Sequence, residues 1–285
     1  MEIKQVKIDK LTIMGNLKKE MESSFQLLLD NFSHVKVDRA LTSYVCGQFF
    51  FVDEDSIYFE YDGLNSSAMN KRNFRLEFNP SKIDKNKKIF LKKHVLPLLI
   101  DFGYTRIDLA IDVDENITDY HFEITGRTKT HIFARDGELA TIYIGSRSSK
   151  VLMRIYDKKR QLKEKEQVEI SDPVLWRLEY ELKGSEMIDS VLENGFESII
   201  DHRIIQYDFT GVSPSDECLI ECMYHSPSSF SKLSRPTKSR VRKVMRACGG
   251  DDISQVIRNE VKKKSPQLLA ELEGFQKSSI RLFDR

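Results

Sequence analysis

The run Val151-Leu152-Met153-Arg154-Ile155-Tyr156-Asp157-Lys158-Lys159-Arg160 places a phenol among cations. Val151, Met153 and Ile155 alternate as one apolar face of a strand, with Leu152, Arg154 and Tyr156 on the other. Tyr156 therefore stands at the strand's end, with Arg154 two residues back and Lys158 just beyond. Neighbouring cations favour the phenolate, the nucleophilic form, and the same cations would hold a phosphate. The plain alternative is one of ten tyrosines closing a sheet edge.

Two further strands carry matching chemistry. In Arg106 to Val113, Ile107, Leu109, Ile111 and Val113 share one side and Asp108, Ala110 and Asp112 the other. In Trp176 to Leu182, the apolar set Trp176, Leu178, Tyr180 and Leu182 lies opposite Arg177, Glu179 and Glu181. If the three strands are neighbours, Asp108, Glu179, Arg177, Arg154 and Tyr156 gather on one face. Converging carboxylates call for a cation, and hard oxygen ligands completed by water and phosphate suit Mg²⁺ or Mn²⁺. Such a set could cleave a phosphodiester. It could equally be a sheet surface laced with cross-strand salt bridges.

The elements that must position these side chains follow from the pattern. Ile3 to Ile13 reads as a strand, Gly15-Asn16 as a turn into a helix from Leu17 to Phe32, and Lys87 to Phe102 as a basic helix. Lys129 to Ala134 and Ala140 to Ile144 flank a hairpin turn. Tyr104-Thr105-Arg106-Ile107-Asp108-Leu109 echoes Gln5-Val6-Lys7-Ile8-Asp9-Lys10, and Trp176-Arg177-Leu178-Glu179-Tyr180 echoes Phe74-Arg75-Leu76-Glu77-Phe78. Similar separations imply an internal duplication of a unit of about a hundred residues. The expected fold is α+β: mostly antiparallel sheets from a duplicated strand-rich unit, with flanking helices and a helical C-terminal region. The expected units are 1–103, 104–212 and 213–285.

The chain has 285 residues and a formal net charge of +1, so a nucleic-acid surface requires local segregation of charge. It exists: no Asp or Glu occurs from Cys222 to Gly250, where Lys232, Arg235, Lys238, Arg240, Arg242, Lys243 and Arg246 cluster. Pro236-Thr237 can start a helix there, with Val241, Val244, Met245 and Cys248 as its apolar stripe. Helices over Asp251 to Lys263 and from Ser265-Pro266 would follow, compatible with a helix-turn-helix. No apolar run is long enough to span a membrane and no secretory signal is evident. Four scattered cysteines read as reduced thiols of a cytosolic protein. Cys218, Cys222 and His225 have zinc-ligand types but lack a second close pair. The six histidines are isolated in sequence, and no nucleotide-binding Gly-Lys-Ser/Thr loop or Gly-x-Ser-x-Gly elbow occurs.

Thr141-Ile142-Tyr143-Ile144-Gly145-Ser146-Arg147-Ser148-Ser149, Met153 to Lys159, and Leu175 to Lys183, with the Arg106 strand, resemble the trans-acting replication initiators of Gram-positive rolling-circle plasmids. The resemblance covers most of Tyr104 to Lys183. It implies a homodimeric, metal-dependent nicking and rejoining enzyme acting on origin DNA, with a host helicase as partner. It implies Tyr156 as nucleophile, forming a 5′-phosphotyrosine and freeing a 3′-hydroxyl. Asp108 and Glu179 would hold the metal, Arg154, Lys158 and Arg177 would steady the phosphate, and the basic C-terminal region would recognise the origin. A conjugative relaxase, or a non-catalytic origin-binding regulator, are the alternatives.

Overall fold

Two strands of 15 residues, β1 (Ile3–Leu17) and β6 (Leu99–Val113), pair antiparallel along their length and form the spine of the molecule. The computed structural model describes residues 1–31, 35–41, 44–50, 56–62, 72–124 and 126–276. Between the two spine strands come α1 (Glu22–Asn31), β2 (Val35–Leu41), β3 (Tyr44–Phe50), β4 (Ser56–Asp62), β5 (Phe74–Phe78) and α2 (Lys85–Phe90). After β6 come β7 (His121–Glu123), β8 (Lys129–Phe133), β9 (Leu139–Ile144), β10 (Val151–Asp157), α3 (Lys158–Gln161) and β11 (Trp176–Lys183). Then follow α4 (Ser185–Asn194), β12 (Arg203–Tyr207), α5 (Pro214–His225), α6 (Pro227–Ser231), α7 (Arg235–Ala247), β13 (Gly250–Asp252) and α8 (Ser254–Gln276).

The large sheet runs β2-β3-β4-β5-β1-β6-β11-β10-β9-β8. Read outward from the spine, each half has the same connectivity: first strand, last strand, then back through the preceding three. That is the duplication expected from the Arg-x-Glu echoes, and the sheet is antiparallel throughout. The α+β architecture is as the sequence implies.

Two sequence expectations at the spine fail. Gly15 does not turn the chain; it continues β1, and a Cβ there would sit 2.6 Å from Phe102 Cβ. Glycine in a strand marks close backbone approach as well as turns. The helix expected to reach Phe102 leaves α-helical geometry after Phe90, and Pro97 lies in a short 3-10 turn just before β6. Leu99 and Ile100 then pair with Leu17 and Asn16. The extent expected for the first helix includes Phe32, which lies outside the described residues.

One core cluster lies under both halves. It takes Ile107, Leu109 and Ile111 from β6, Leu178 and Tyr180 from β11, and Met153 and Ile155 from β10. It also takes Ile257, Val261, Leu268, Leu272 and Phe275 from α8. Burying each such side chain contributes roughly 1.5–3 kcal/mol. The two helices expected over 251–263 and from 265 are this one helix, with Pro266 inside it, preceded by β13 paired to β12. Because a strand separates α7 from α8, the expected helix-turn-helix at Gly249-Gly250 does not form. α5, α6 and α7 instead close around a small core of their own, Ile220, Phe230 and Val241.

Candidate active-site cleft

Strand register brings the polar residues together. β11 sits between β6 and β10, pairing Arg154 with Glu179 and Tyr156 with Arg177 on one side, and Arg177 with Asp112 on the other. β10 ends where the Asp157 side chain accepts from Arg160 N at 2.9 Å and caps α3. That cap stops the strand one residue after Tyr156. Over this face lies a cleft of about 800 Å³, lined among others by Asp9, Arg106, Asp108, Arg154, Tyr156 and Glu179.

Within the cleft, Tyr156 OH donates to Glu179 Oε2 at 3.1 Å. Arg154 donates to Glu179 Oε1, and its Nη2 lies 3.5 Å from Asp108 Oδ2. Its guanidinium thus touches both carboxylates, which also meet each other directly. The Nε of Arg154 is buried and has no hydrogen-bond partner. Arg106 grips Asp108 with two hydrogen bonds, at 2.7 and 2.6 Å, and reaches Glu181 at 2.6 Å. The five residues expected on one face do share it. That face is not open sheet surface, however: Asp108, Asp112, Arg177, Glu179 and Glu181 are all buried. Charges this deep persist only when paired, and each of these is.

Two residues expected to steady a phosphate are placed otherwise. Arg177 is 2 % exposed and does not line the cleft; Asp112 holds it at 2.5 and 2.8 Å, and Asp9 at 3.1 Å. Strand alternation put Arg177 on the right face, but the neighbouring strand's Asp112 takes its guanidinium. Lys158 is also buried off the cleft, and its Nζ donates to Gln161 Oε1 at 2.7 Å. It belongs to the first turn of α3, so strand alternation no longer governs its direction.

The electrostatics reverse one expectation. Burial, then the Glu179 charge, pushes the Tyr156 phenol well above its ordinary pKa, and Arg177 offsets this only in part. The cations around the phenol, themselves engaged by carboxylates, are outweighed by burial and by the Glu179 charge. Burial also lifts the Glu179 carboxyl above the usual range; Arg154 opposes this, while Asp108 and Asp9 add to it. Glu179 is therefore a proton acceptor already hydrogen-bonded to the phenol.

The donor set fits a hard divalent cation: oxygen ligands from Asp108 and Glu179, and an open cleft for water and phosphate. The orphaned Arg154 Nε shows that this guanidinium is not fully satisfied between them. Sequence reasoning passed over Asp9 and Arg106 as site residues. Both lay in the echoed motifs, Asp9 as the counterpart of Asp108 and Arg106 two residues before it.

The basic side chains lie apart from the cleft. Lys232, Arg235, Arg240, Arg242, Lys243 and Arg246 are exposed on and just before α7, with Lys238 half-buried. Arg240 pairs with Asp216 at 2.9 Å, and Arg242 lies over the Phe230 ring. Ser234 caps α7 and Val241 is its buried residue. Among the described residues, no helix is long and apolar enough to cross a membrane.

Comparisons with known proteins agree along the chain. A family model described as replication initiation protein, N-terminal, matches residues 10–99. One described as replication initiation factor matches residues 103–217, which include Asp108, Arg154, Tyr156 and Glu179. A replication initiation protein of Staphylococcus aureus is 29% identical over 273 residues, covering 94% of this chain and 84% of the relative. A second from the same organism is 28% identical over 277 residues, covering 96% and 85%. A solved rolling circle replication initiator from Geobacillus stearothermophilus covers 85% of this chain and 97% of its own at 16% identity. Its TM-score of 0.40 is too loose a likeness to argue from.

Proposed function

Because the chain belongs to the replication initiation proteins of Gram-positive rolling-circle plasmids, we propose that its cleft nicks one strand of the plasmid origin with Tyr156 as nucleophile. The single observation that carries this reading is the Tyr156 hydroxyl, hydrogen-bonded to Glu179 at the wall of a cleft that also holds Arg154 and Asp108.

The phenol oxygen attacks the scissile phosphorus as its proton passes to Glu179. The bond from phosphorus to the 3′-oxygen breaks, its electron pair going to that oxygen, which takes a proton from water; a 5′-phosphate stays on Tyr156 and a 3′-hydroxyl is freed. Arg154, with an unused Nε donor, turns to the phosphate as DNA enters and leaves its place between the carboxylates. Asp108 and the Oε1 of Glu179 that Arg154 vacates would then hold a divalent cation, Mg²⁺ or Mn²⁺, leaving Oε2 for the phenol's proton; the cation's chemistry when bound is to polarise the phosphate. Arg106 fixes Asp108, and Arg177, clamped by Asp9 and Asp112, positions the strand behind Tyr156. Reversal of the same displacement by the 3′-hydroxyl rejoins the strand.

The labour divides along the chain in this reading. Residues 1–103 supply β1 and the first residues of β6, 104–212 carry the rest of β6 and the chemistry, and 213–285 present Lys232, Arg235, Lys238, Arg240, Arg242, Lys243 and Arg246 to origin phosphates. A homodimer working with a host helicase completes the picture.

The test is a denaturing gel of full-length protein incubated with single-stranded origin DNA and Mn²⁺. A protein–DNA band that boiling does not remove, absent from Tyr156→Phe, is the expected result. Duplex binding with no adduct in the unaltered protein would mark a binding regulator instead.

A further inference from the structure

Half of the chain's six histidines meet at a place the nicking reaction does not use. His121 comes from β7, His131 from β8 at the edge of the large sheet, and His225 from the last turn of α5. Glu221 lies one turn before His225 on that helix, on the same face. His121 Nε2 is 2.9 Å from Glu221 Oε1, and His225 Nε2 is 3.0 Å from Glu221 Oε2. One donor atom from each of these three residues lies within 4.8 Å of the others. Ligands at zinc distances around a tetrahedron would stand about 3.3 Å apart, so little movement is needed.

Three features go beyond a carboxylate clasped by two imidazoles. First, His121 is 5 % exposed, packed against the Tyr207 and Tyr224 rings, and its Nδ1 has no hydrogen-bond partner, so only Nε2 meets a polar group. A metal bond at Nε2 would offset that cost far better than one hydrogen bond. Second, His225 Nδ1 lies 3.2 Å from His131 Nε2. If His225 donates there, its Nε2 lone pair is turned toward Glu221, and two acceptors facing each other need a cation between them. An outer partner fixing the tautomer of a ligating imidazole is how such sites are commonly supported. Third, the group opens into a cavity of about 480 Å³, also lined by Glu217 and Asp119, which leaves room for a water ligand.

We propose that His121, Glu221 and His225 bind a zinc-type divalent cation, with His131 as the outer partner of His225. Imidazole and carboxylate donors suit Zn²⁺ or Co²⁺, whereas the all-oxygen cleft suits Mg²⁺ or Mn²⁺. The cation would staple α5, and with it the lobe carrying the basic helix α7, to β7. Its outer shell reaches β8, whose Phe133 lines both this cavity and the catalytic cleft. Sequence reasoning paired His225 with Cys218 and Cys222. Those cysteines fall on an adjacent stripe of α5, and Cys222 packs against the small helical core.

The site stands independently of the nicking reading, and the test keeps them apart. Full-length, metal-stripped protein is titrated with Co²⁺ and the visible absorption of a nitrogen-ligated ion is followed, then Zn²⁺ is added to displace it. One equivalent is expected to bind, and Zn²⁺ to raise the melting temperature. His225→Asn, at a half-exposed position, should weaken binding at least the roughly 100-fold that loss of even an outer partner can cause. Glu221→Gln should do the same, and His131→Asn should cost about tenfold. Asp108→Asn with Glu179→Gln, which disables the cleft, should leave the Co²⁺ signal in place. No stoichiometric uptake at micromolar metal, unchanged binding by His225→Asn, or loss of the signal in the cleft variant would each overturn the site.

Discussion

The two halves of the large sheet share a frame and differ in what stands on it. In the first half, β4 pairs Tyr58 with Glu77 and Glu60 with Arg75. In the second, β10 pairs Arg154 with Glu179 and Tyr156 with Arg177. The Arg-x-Glu strand is common to both, but Glu60 stands where the second half has its tyrosine, and Tyr58 where it has its arginine. Tyr58 OH donates to Glu60, on its own strand, at 2.5 Å. The paired glutamates titrate in opposite directions. Burial resists ionisation of Glu77, yet Lys10 and Arg75 together overcome it and hold its carboxyl low. Burial of Glu179 wins over Arg154, with Asp108 and Asp9 adding to it. A duplicated frame thus holds a structural salt bridge on one side and a proton acceptor beside a phenol on the other.

The sharpest way to break this contrast is at the tyrosine. Tyr156→Phe should cut nicking of a supercoiled origin plasmid by more than about 10³-fold, the scale of losing a nucleophile. Glu60→Gln, at the matching place, should leave the rate nearly unchanged. Equal losses from both would dissolve the distinction between the halves.

Next in size is the arginine. Arg154→Ala should slow nicking on the order of 10²-fold, as for loss of a preorganised donor. Tyr58→Phe, its counterpart, should cost about 1 kcal/mol of stability in a urea melt, the scale of one hydrogen bond, and leave nicking intact. Comparable nicking defects would mean that the first half also touches the reacting phosphate.

The basic lobe, outside both halves, should act on affinity alone. Replacing Arg242 and Lys243 with alanine should flatten the salt dependence of origin binding, by about 0.9 for each phosphate no longer neutralised. Nicking of pre-bound single-stranded DNA should be preserved. An unaltered slope in filter binding would remove α7 from the interface.

The smallest effect is in the pH dependence of folding. Glu77 has a depressed folded pKa, so its stabilisation is present above the ordinary 4.5 and lost as pH falls through the folded value. Glu179 has a raised folded pKa, so it lowers stability as pH rises from 4.5 toward neutrality. Glu77→Gln should flatten the acid limb of a stability curve, and Glu179→Gln the neutral one. The same slope change from both would contradict the opposed shifts.

Much of this was legible because strands announce themselves by alternation. Ile107, Leu109, Ile111 and Val113 against Asp108 and Asp112 specify a face whatever the neighbours are. The repeated Arg-x-Glu placed the strands in two sets, and the basic run after Asp157 marked where the strand ends and Tyr156 stands. What failed depends on contacts between distant strands. Nothing local reveals that Arg177 faces Asp112 and Asp9, or that burial and Glu179 outweigh the cations around the phenol. Gly15 reads as a turn until Phe102 is known to cross it. His121, His131 and His225 are isolated along the chain, and only folding α5 against β7 and β8 brings them together.

The most direct test of the central claim is the residue that carries the DNA. Full-length protein trapped on single-stranded origin DNA with Mn²⁺ would be digested with trypsin and nuclease and sequenced by mass spectrometry. The account predicts a nucleotide remnant on the peptide Ile155-Tyr156-Asp157-Lys158, attached at the phenol. A remnant on any other residue, or nicking that leaves this peptide unmodified throughout the reaction, would contradict it.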